Sequence, residues 1–263
     1  VLGDASILPA PLDRSNSGDL KFRNVTHRVG INYTYSESTA FEGRQEMATN
    51  AGIYVTDFNN DYWPDILVIG GSEPILFTNV GGTFRRTHAL PELDRPVTSA
   101  LSFDYDRDGW DDILLLGVEG RLTLLENRGG SFTVREDAFD LRLTAPIAAT
   151  AGDYNDDGCA DVFIIQHGDW ERGLPAGFFD YSAPINADNG FPNYLFRGNC
   201  SAFTRTNATS IRGNRWSLAT TFADVNNDGR LDIYVANDFN HDIVYRNRGE
   251  GRFEQIVLGV LPE

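Results

Sequence analysis

Asp224-Val-Asn226-Asn-Asp228-Gly229-Arg230-Leu-Asp232 decides the fold, because the same nine-residue phrase is written three more times. The copies are Asp57-Phe-Asn59-Asn-Asp61-Tyr62-Trp63-Pro-Asp65, Asp104-Tyr-Asp106-Arg-Asp108-Gly109-Trp110-Asp-Asp112 and Asp153-Tyr-Asn155-Asp-Asp157-Gly158-Cys159-Ala-Asp161. Each sets oxygen-bearing side chains at positions 1, 3, 5 and 9 of a short loop. The alternation lets a tight turn aim the first three inward, and position 9 closes the cage. The backbone carbonyl of position 7 (Trp63, Trp110, Cys159 or Arg230) can join them. Carboxylates this dense repel one another, and a divalent cation offsets that. Calcium, which takes about six to eight oxygens in flexible geometry, suits the set better than magnesium, which holds to an octahedron and keeps its waters. One acidic turn could stand without a metal. Four in register predict up to four bound calciums.

Glycine at position 6 permits the left-handed backbone such a loop needs. Loop 1 carries Tyr62 there, and a bulky residue disfavours positive φ. Site 1 is therefore expected to bind less well or to turn differently. Site 2, with four Asp ligands and its glycine, is expected to bind tightest. A helix–loop–helix calcium hand is excluded: it closes with Glu at position 12 and needs flanking helices. Here apolar runs follow at once, Ile66-Leu-Val-Ile69, Ile113-Leu-Leu-Leu116, Val162-Phe-Ile-Ile165 and Ile233-Tyr-Val-Ala236, and these read as buried strands.

The repeat extends outward from the loop. A strand-like stretch precedes each one (Ala51–Val55, Thr98–Phe103, Ile147–Ala151, Ser217–Phe222). A third strand ends before glycine (Ile75–Asn79, Leu122–Asn127, Tyr194–Phe196, Ile243–Asn247), and a fourth opens on Phe84, Phe132, Phe203 or Phe253. Four antiparallel strands per unit make a propeller blade. The expected fold is all-β: a β-propeller of four-stranded blades with Asp-rich calcium loops over residues 21–263, after a polar lead-in over 1–20. Loop to phenylalanine spans 57 to 84, 104 to 132 and 224 to 253, but 153 to 203 in the third unit. That unit holds an insertion at about 168–189. A fifth copy of the outer strand is expected at Phe22–Thr26. Four loops with five outer strands fit either a small ring or part of a longer one.

The chain has 263 residues and 41% hydrophobic composition, ample for a core. No apolar run is long enough to span a membrane. The absence of a starting Met reads as a processed or trimmed chain. The net charge of −16 rests partly on the loops, and four calciums would bring it to −8. Such acidity argues against nucleic acid and anionic membranes as partners. The histidines (His27, His88, His167, His241) lie too far apart in sequence to suggest zinc. Cys159 and Cys200 fall in turns at the same end of the third blade, so a disulfide is expected; two unrelated buried thiols are the alternative. Sequons at Asn24, Asn32, Asn199 and Asn207 are candidate glycosylation sites and, with a disulfide, suit a secreted chain.

Phe222-Ala-Asp-Val-Asn-Asn-Asp-Gly-Arg-Leu-Asp-Ile-Tyr-Val-Ala-Asn-Asp238, followed by Val244-Tyr-Arg-Asn-Arg-Gly249 and Phe253, resembles the FG-GAP/VCBS repeats, the calcium-loop propellers of integrin α-subunit heads. The wording is similar to the secreted subgroup with cartilage acidic protein and UnbV-like bacterial proteins. The resemblance covers about residues 21–257. It implies that calcium is structural, held within each blade away from the partner face. It also implies a secreted, calcium-stabilised module for adhesion or assembly, without catalysis, whose partner is a protein or glycan at an extracellular surface or in a larger assembly. The partner face is expected on the insertion, at Trp170, Phe178, Phe179 and Tyr181. A lectin is the alternative, with those aromatics stacking on sugar rings. A hydrolase or lyase using acids such as Asp169, Glu171, Asp180 or Asp188 is a further one; no nucleophile motif supports it.

Overall fold

In a computed structural model, the structure describes residues 23–33, 52–70, 73–93, 96–117, 120–168 and 187–258. Among the described residues, sixteen strands form four separate antiparallel sheets of four, each in plain sequence order. Blade 1 is β1 (Gly52–Thr56), β2 (Asp65–Ile69), β3 (Ile75–Val80) and β4 (Thr83–Arg86). Blade 2 is β5 (Val97–Phe103), β6 (Asp112–Gly117), β7 (Leu122–Asn127) and β8 (Phe132–Arg135). Blade 3 is β9 (Pro146–Gly152), β10 (Asp161–Gln166), β11 (Tyr194–Gly198) and β12 (Phe203–Arg205). Blade 4 is β13 (Trp216–Ala223), β14 (Asp232–Asp238), β15 (Ile243–Asn247) and β16 (Phe253–Val257). A short 3-10 turn lies at Thr209–Ile211.

The second strands are apolar on both faces because each sheet is sandwiched between neighbours. Ile113, Leu114, Leu115 and Leu116 are all buried, as are Val162 to Ile165. The blades follow one another in chain order: β5 packs on β1, β9 on β5 and β13 on β9. Three hydrophobic cores lie at the three junctions. Leu67, Leu76, Ile113 and Leu125 fill the first, Leu114, Leu124, Val162 and Phe196 the second, and Phe163, Leu195, Ile233 and Tyr245 the third. Each large aliphatic or aromatic side chain so buried contributes about 1.5–3 kcal/mol. No core among the described residues joins blade 4 to blade 1, so these blades form an open arc rather than a closed ring of four.

The fifth outer strand expected at Phe22–Thr26 is not a strand within the described residues 23–26. The Asn24 side chain accepts the Thr26 N–H at 3.0 Å, and Val29 N–H returns to Val25 O at 3.0 Å. An asparagine bonding its own backbone two residues on favours a turn over a ladder. The segment still takes the place of an inter-blade connection. Phe84 N–H donates to Val29 O as Phe132 N–H does to Ala89 O and Phe203 N–H to Ala138 O.

Candidate functional site

All four loops adopt one hydrogen-bonded form at one rim of the arc. Position 1 accepts two backbone N–H groups: in loop 4, Asp224 Oδ1 takes Asp228 N–H at 3.1 Å and Oδ2 takes Gly229 N–H at 2.8 Å. Position 3 (Asn226) takes Asp228 N–H at 2.9 Å, and position 5 (Asp228) takes Arg230 N–H at 3.1 Å. The same bonds recur on Asp57, Asn59 and Asp61, on Asp104, Asp106 and Asp108, and on Asp153, Asn155 and Asp157. These N–H groups point the side chains into the loop without a metal and leave lone pairs over.

The backbone turns left-handed twice per loop. Position 6 does so at Gly109, Gly158 and Gly229, with φ between 84° and 88°, and Tyr62 follows with φ 70°. The expectation that loop 1 turns differently is corrected: Tyr62 adopts the glycine conformation, held there by its N–H bond to Asp57 at 2.7 Å. Such a conformation costs a non-glycine residue roughly 1–2 kcal/mol. Position 4 is also left-handed, at Asn60, Arg107, Asp156 and Asn227. Three of these are Asn or Asp, the side chains that best tolerate it. That signal stood in the sequence unread.

Position 9 is buried in every loop. Asp65, Asp112, Asp161 and Asp232 each accept the N–H of position 2 on one oxygen and, on the other, an N–H from the end of the third strand, that of Asn79, Asn127, Gly198 or Asn247. Burial pushes the Asp112 and Asp161 carboxyls up to about 7, against those backbone bonds. In loop 2 the ligand atoms of Asp104, Asp106 and Asp108 all lie within 4.8 Å of one another, a spacing fit for one cation. Asp106 is raised by burial and by the charge of Asp108. Loop 3 is partly neutralised from β11 and loop 4 from within. Arg197 bonds Asp157 at 2.7 Å and Arg230 bonds Asp228 at 2.6 Å. At Asp157 burial would raise the carboxyl, but the Arg197 bonds outweigh it and lower it.

In blades 1, 2 and 4 an asparagine at the end of the third strand is a clamp that the sequence reading passed over. Asn127 Nδ2 donates to Asp111 O at 2.9 Å within its blade and to Phe58 O at 2.8 Å in the preceding blade, while its Oδ1 accepts Gly130 N–H. Asn247 does the same with Leu231 O, Tyr154 O and Gly249 N–H. Asn79 holds Pro64 O and Gly82 N–H. Its signal was an asparagine shortly before the opening phenylalanine in blades 1, 2 and 4 (79 before 84, 127 before 132, 247 before 253). Blade 3 has Gly198 instead, and there Cys159 and Cys200 form a disulfide with Cα atoms 5.2 Å apart.

The sequon residues Asn24, Asn32, Asn199 and Asn207 are all exposed. Trp170, Phe178, Phe179 and Tyr181 lie outside the described residues, as do Asp169, Glu171 and Asp180. The insertion's neck is described: Gly168 bridges Gly190, Gly190 N–H donates to Asn214 O, and Ala187 N–H donates to Phe239 O in blade 4. Trp216 Nε1–H bonds Asn189 at 2.8 Å beneath it. Both ends of the insertion are thus fixed to the rim opposite the Asp loops.

Four consecutive blades with one Asp loop each define a propeller of Asp-loop repeat type. The chain belongs to the FG-GAP-like repeat family, whose model matches residues 57–115, 104–164, 181–235 and 224–262. No curated protein matches it. Among solved structures it is similar to an Agrocybe aegerita lectin described as specifically recognising non-reducing terminal N-acetylglucosamine, with a TM-score of 0.51 and 18% identity. The likeness covers 80% of this chain and 52% of the lectin, so the chain spans about half that protein's length. At this identity the likeness establishes the fold.

Proposed function

We propose that this chain is a secreted, calcium-stabilised binding module of adhesion or assembly type. The FG-GAP repeat and the lectin neighbour point to a binding fold rather than a catalytic one. The gathered carboxylates of Asp104, Asp106 and Asp108 carry the calcium reading. In each loop, positions 1, 3 and 5 would hold the ion with the position-7 carbonyl, and the lone pairs left on position 9 complete the shell. Calcium there neutralises the carboxylates and braces the turn between the first and second strands. It does no chemistry. The disulfide and the exposed sequons support an extracellular setting.

The partner surface on this reading is the insertion, with Trp170, Phe178, Phe179 and Tyr181, displayed from a neck fixed to two blades. Calorimetric titration of metal-stripped protein with calcium, and melting with and without EDTA, tests the first part. Binding to the native state alone adds roughly 2.7 kcal/mol per site at a hundredfold excess over Kd. An unchanged melting curve after verified metal removal defeats the structural-calcium reading.

A carbohydrate ligand is the second reading, favoured by the lectin's fold. A glycan array including N-acetylglucosamine-terminated chains tests it. Binding by the intact chain, lost when residues 169–186 are replaced by a short linker, places the sugar on the insertion. Retained binding moves the site elsewhere.

A further inference from the structure

The position-5 carboxylate meets a different neighbour in each blade. Its Oδ1 always takes the position-7 N–H, so Oδ2 is the oxygen left to a cation. In loop 3, Arg197 lays Nε at 3.1 Å and Nη2 at 2.7 Å on Asp157 Oδ2. In loop 4, Arg230 Nη2 lies 2.6 Å from Asp228 Oδ2, and its Nε is anchored on Asn247 O at 3.1 Å. In loop 1, Asp61 Oδ2 takes the neutral Asn59 amide. In loop 2, among the described residues, only backbone N–H groups bond Asp104, Asp106 and Asp108.

Loop 2 does not lack an arginine nearby. Arg128 stands in the turn after β7, and the charges of Glu126 first, then of Asp106 and Asp108, hold its guanidinium protonated. Its bonds go to Glu126 alone. That buried carboxylate takes Arg128 on Oε1 and Arg135 on Oε2 at 2.8 Å, and the Tyr105 hydroxyl bridges Arg135 and Glu126. Glu126 and Arg197 hold one place in their blades. Glu126 lies opposite Thr133 one residue before Asn127, as Arg197 lies opposite Thr204 one residue before Gly198. One register position thus carries opposite charge in two blades. In blade 2 it draws an arginine off the loop, and in blade 3 it puts one in.

We propose that Arg197 and Arg230 are resident cations of loops 3 and 4 that a metal must displace, and that Glu126 keeps loop 2 open by holding Arg128 away from it. The inference rests on the calcium reading above and sets the order of filling, loop 2 ahead of loops 3 and 4. Two cations on one oxygen repel, so Arg197 and Arg230 must swing out before Asp157 and Asp228 can ligate. Both guanidiniums reach solvent, which gives them room to do so. Losing such an exposed pair lowers the loop's affinity by about three- to tenfold. The third carboxylate, Asp106, also favours loop 2, but a count of ligands expects no change from replacing an arginine.

Calorimetric titration of the metal-stripped whole chain with calcium tests it. Arg197→Gln and Arg230→Gln should each strengthen one of the weaker sites, by about three- to tenfold. Glu126→Gln should weaken the tightest site by a similar factor. Terbium emission excited through tryptophan reads that loss separately, since Trp63 and Trp110 hold position 7 in loops 1 and 2 only. Adding Arg128→Gln to Glu126→Gln should restore the site, a rescue that lost packing at Glu126 would not give. Melting in EDTA verifies that each variant is folded. Calcium binding identical in the wild type, Arg197→Gln and Arg230→Gln overturns this inference and leaves the calcium reading standing. So does a Glu126→Gln defect that Arg128→Gln fails to repair. No calcium heat in the wild type or any variant overturns both.

Discussion

Blade 3 and its neighbours, blades 2 and 4, meet one mechanical demand by different chemistry. In each, the Asp loop must be tied to the turn between the third and fourth strands. In blades 2 and 4 an asparagine ties it, and the same amide reaches the blade before. In blade 3 a disulfide ties loop position 7 to the turn. A Cβ on Gly198 would stand 2.0 Å from Ala160 O, so no asparagine fits there. The covalent tie is stronger within the blade, but it cannot reach across to blade 2. The blade 2–blade 3 junction compensates with aromatic packing. Phe139 stacks on Phe203 at 4.7 Å and meets Phe196 edge-on at 5.2 Å, and its backbone bridges Phe203. A lost cross-blade amide contact and a gained aromatic cluster thus occur at one junction.

Removing the disulfide should have the largest effect. With the cysteines 41 positions apart, Cys159→Ser with Cys200→Ser should cost about 4 kcal/mol. For a domain this size that is roughly 10 °C in Tm. A double variant melting with the wild type would show the tie to be redundant. Asn127→Ala and Asn247→Ala come next, at about 3 kcal/mol each, because each strands buried carbonyls in two blades. Asn79 reaches no second blade among the described residues, so Asn79→Ala should cost clearly less; equal losses for all three, by urea unfolding, would break the distinction between clamp and bridge. Placing Gly198→Asn in the cysteine-free background should lower stability by a further 1–3 kcal/mol or so instead of rescuing it, because of the approach to Ala160 O.

Two smaller effects concern the loops. Asp106→Asn gives loop 2 the ligand set of loops 3 and 4, and should weaken its calcium affinity about tenfold, or 1.4 kcal/mol. Calorimetry showing four sites unchanged would rule out carboxylate count as the source of ranking. Tyr62→Gly should stabilise by roughly 0.5–1 kcal/mol, the relief of a left-handed tyrosine less the added freedom of glycine in the unfolded chain. A destabilised variant would mean that the Tyr62 ring contributes more than its exposure suggests.

What the sequence determined by itself is everything with a short period. The nine-residue loops, the apolar runs after them, the phenylalanine opening each fourth strand and the insertion's place in blade 3 are readable because alternation and loop chemistry act within a few residues. The disulfide was also legible, since a four-stranded meander puts both cysteine turns at one end. The expected strand at Phe22–Thr26 failed for an equally local reason, the asparagine turn at Asn24, which a phenylalanine-led pattern hides. Tertiary structure decided what crosses between blades. Asn127 and Phe58 are 69 residues apart, and Asn247 and Tyr154 are 93. No periodicity links such pairs, so only the stacked sheets show why these asparagines stand where they do. The same holds for exposure: every blade carries the same pattern, and only packing shows that Ile53, Leu218 and Val225 are exposed where Ala100, Thr98 and Tyr154 are buried.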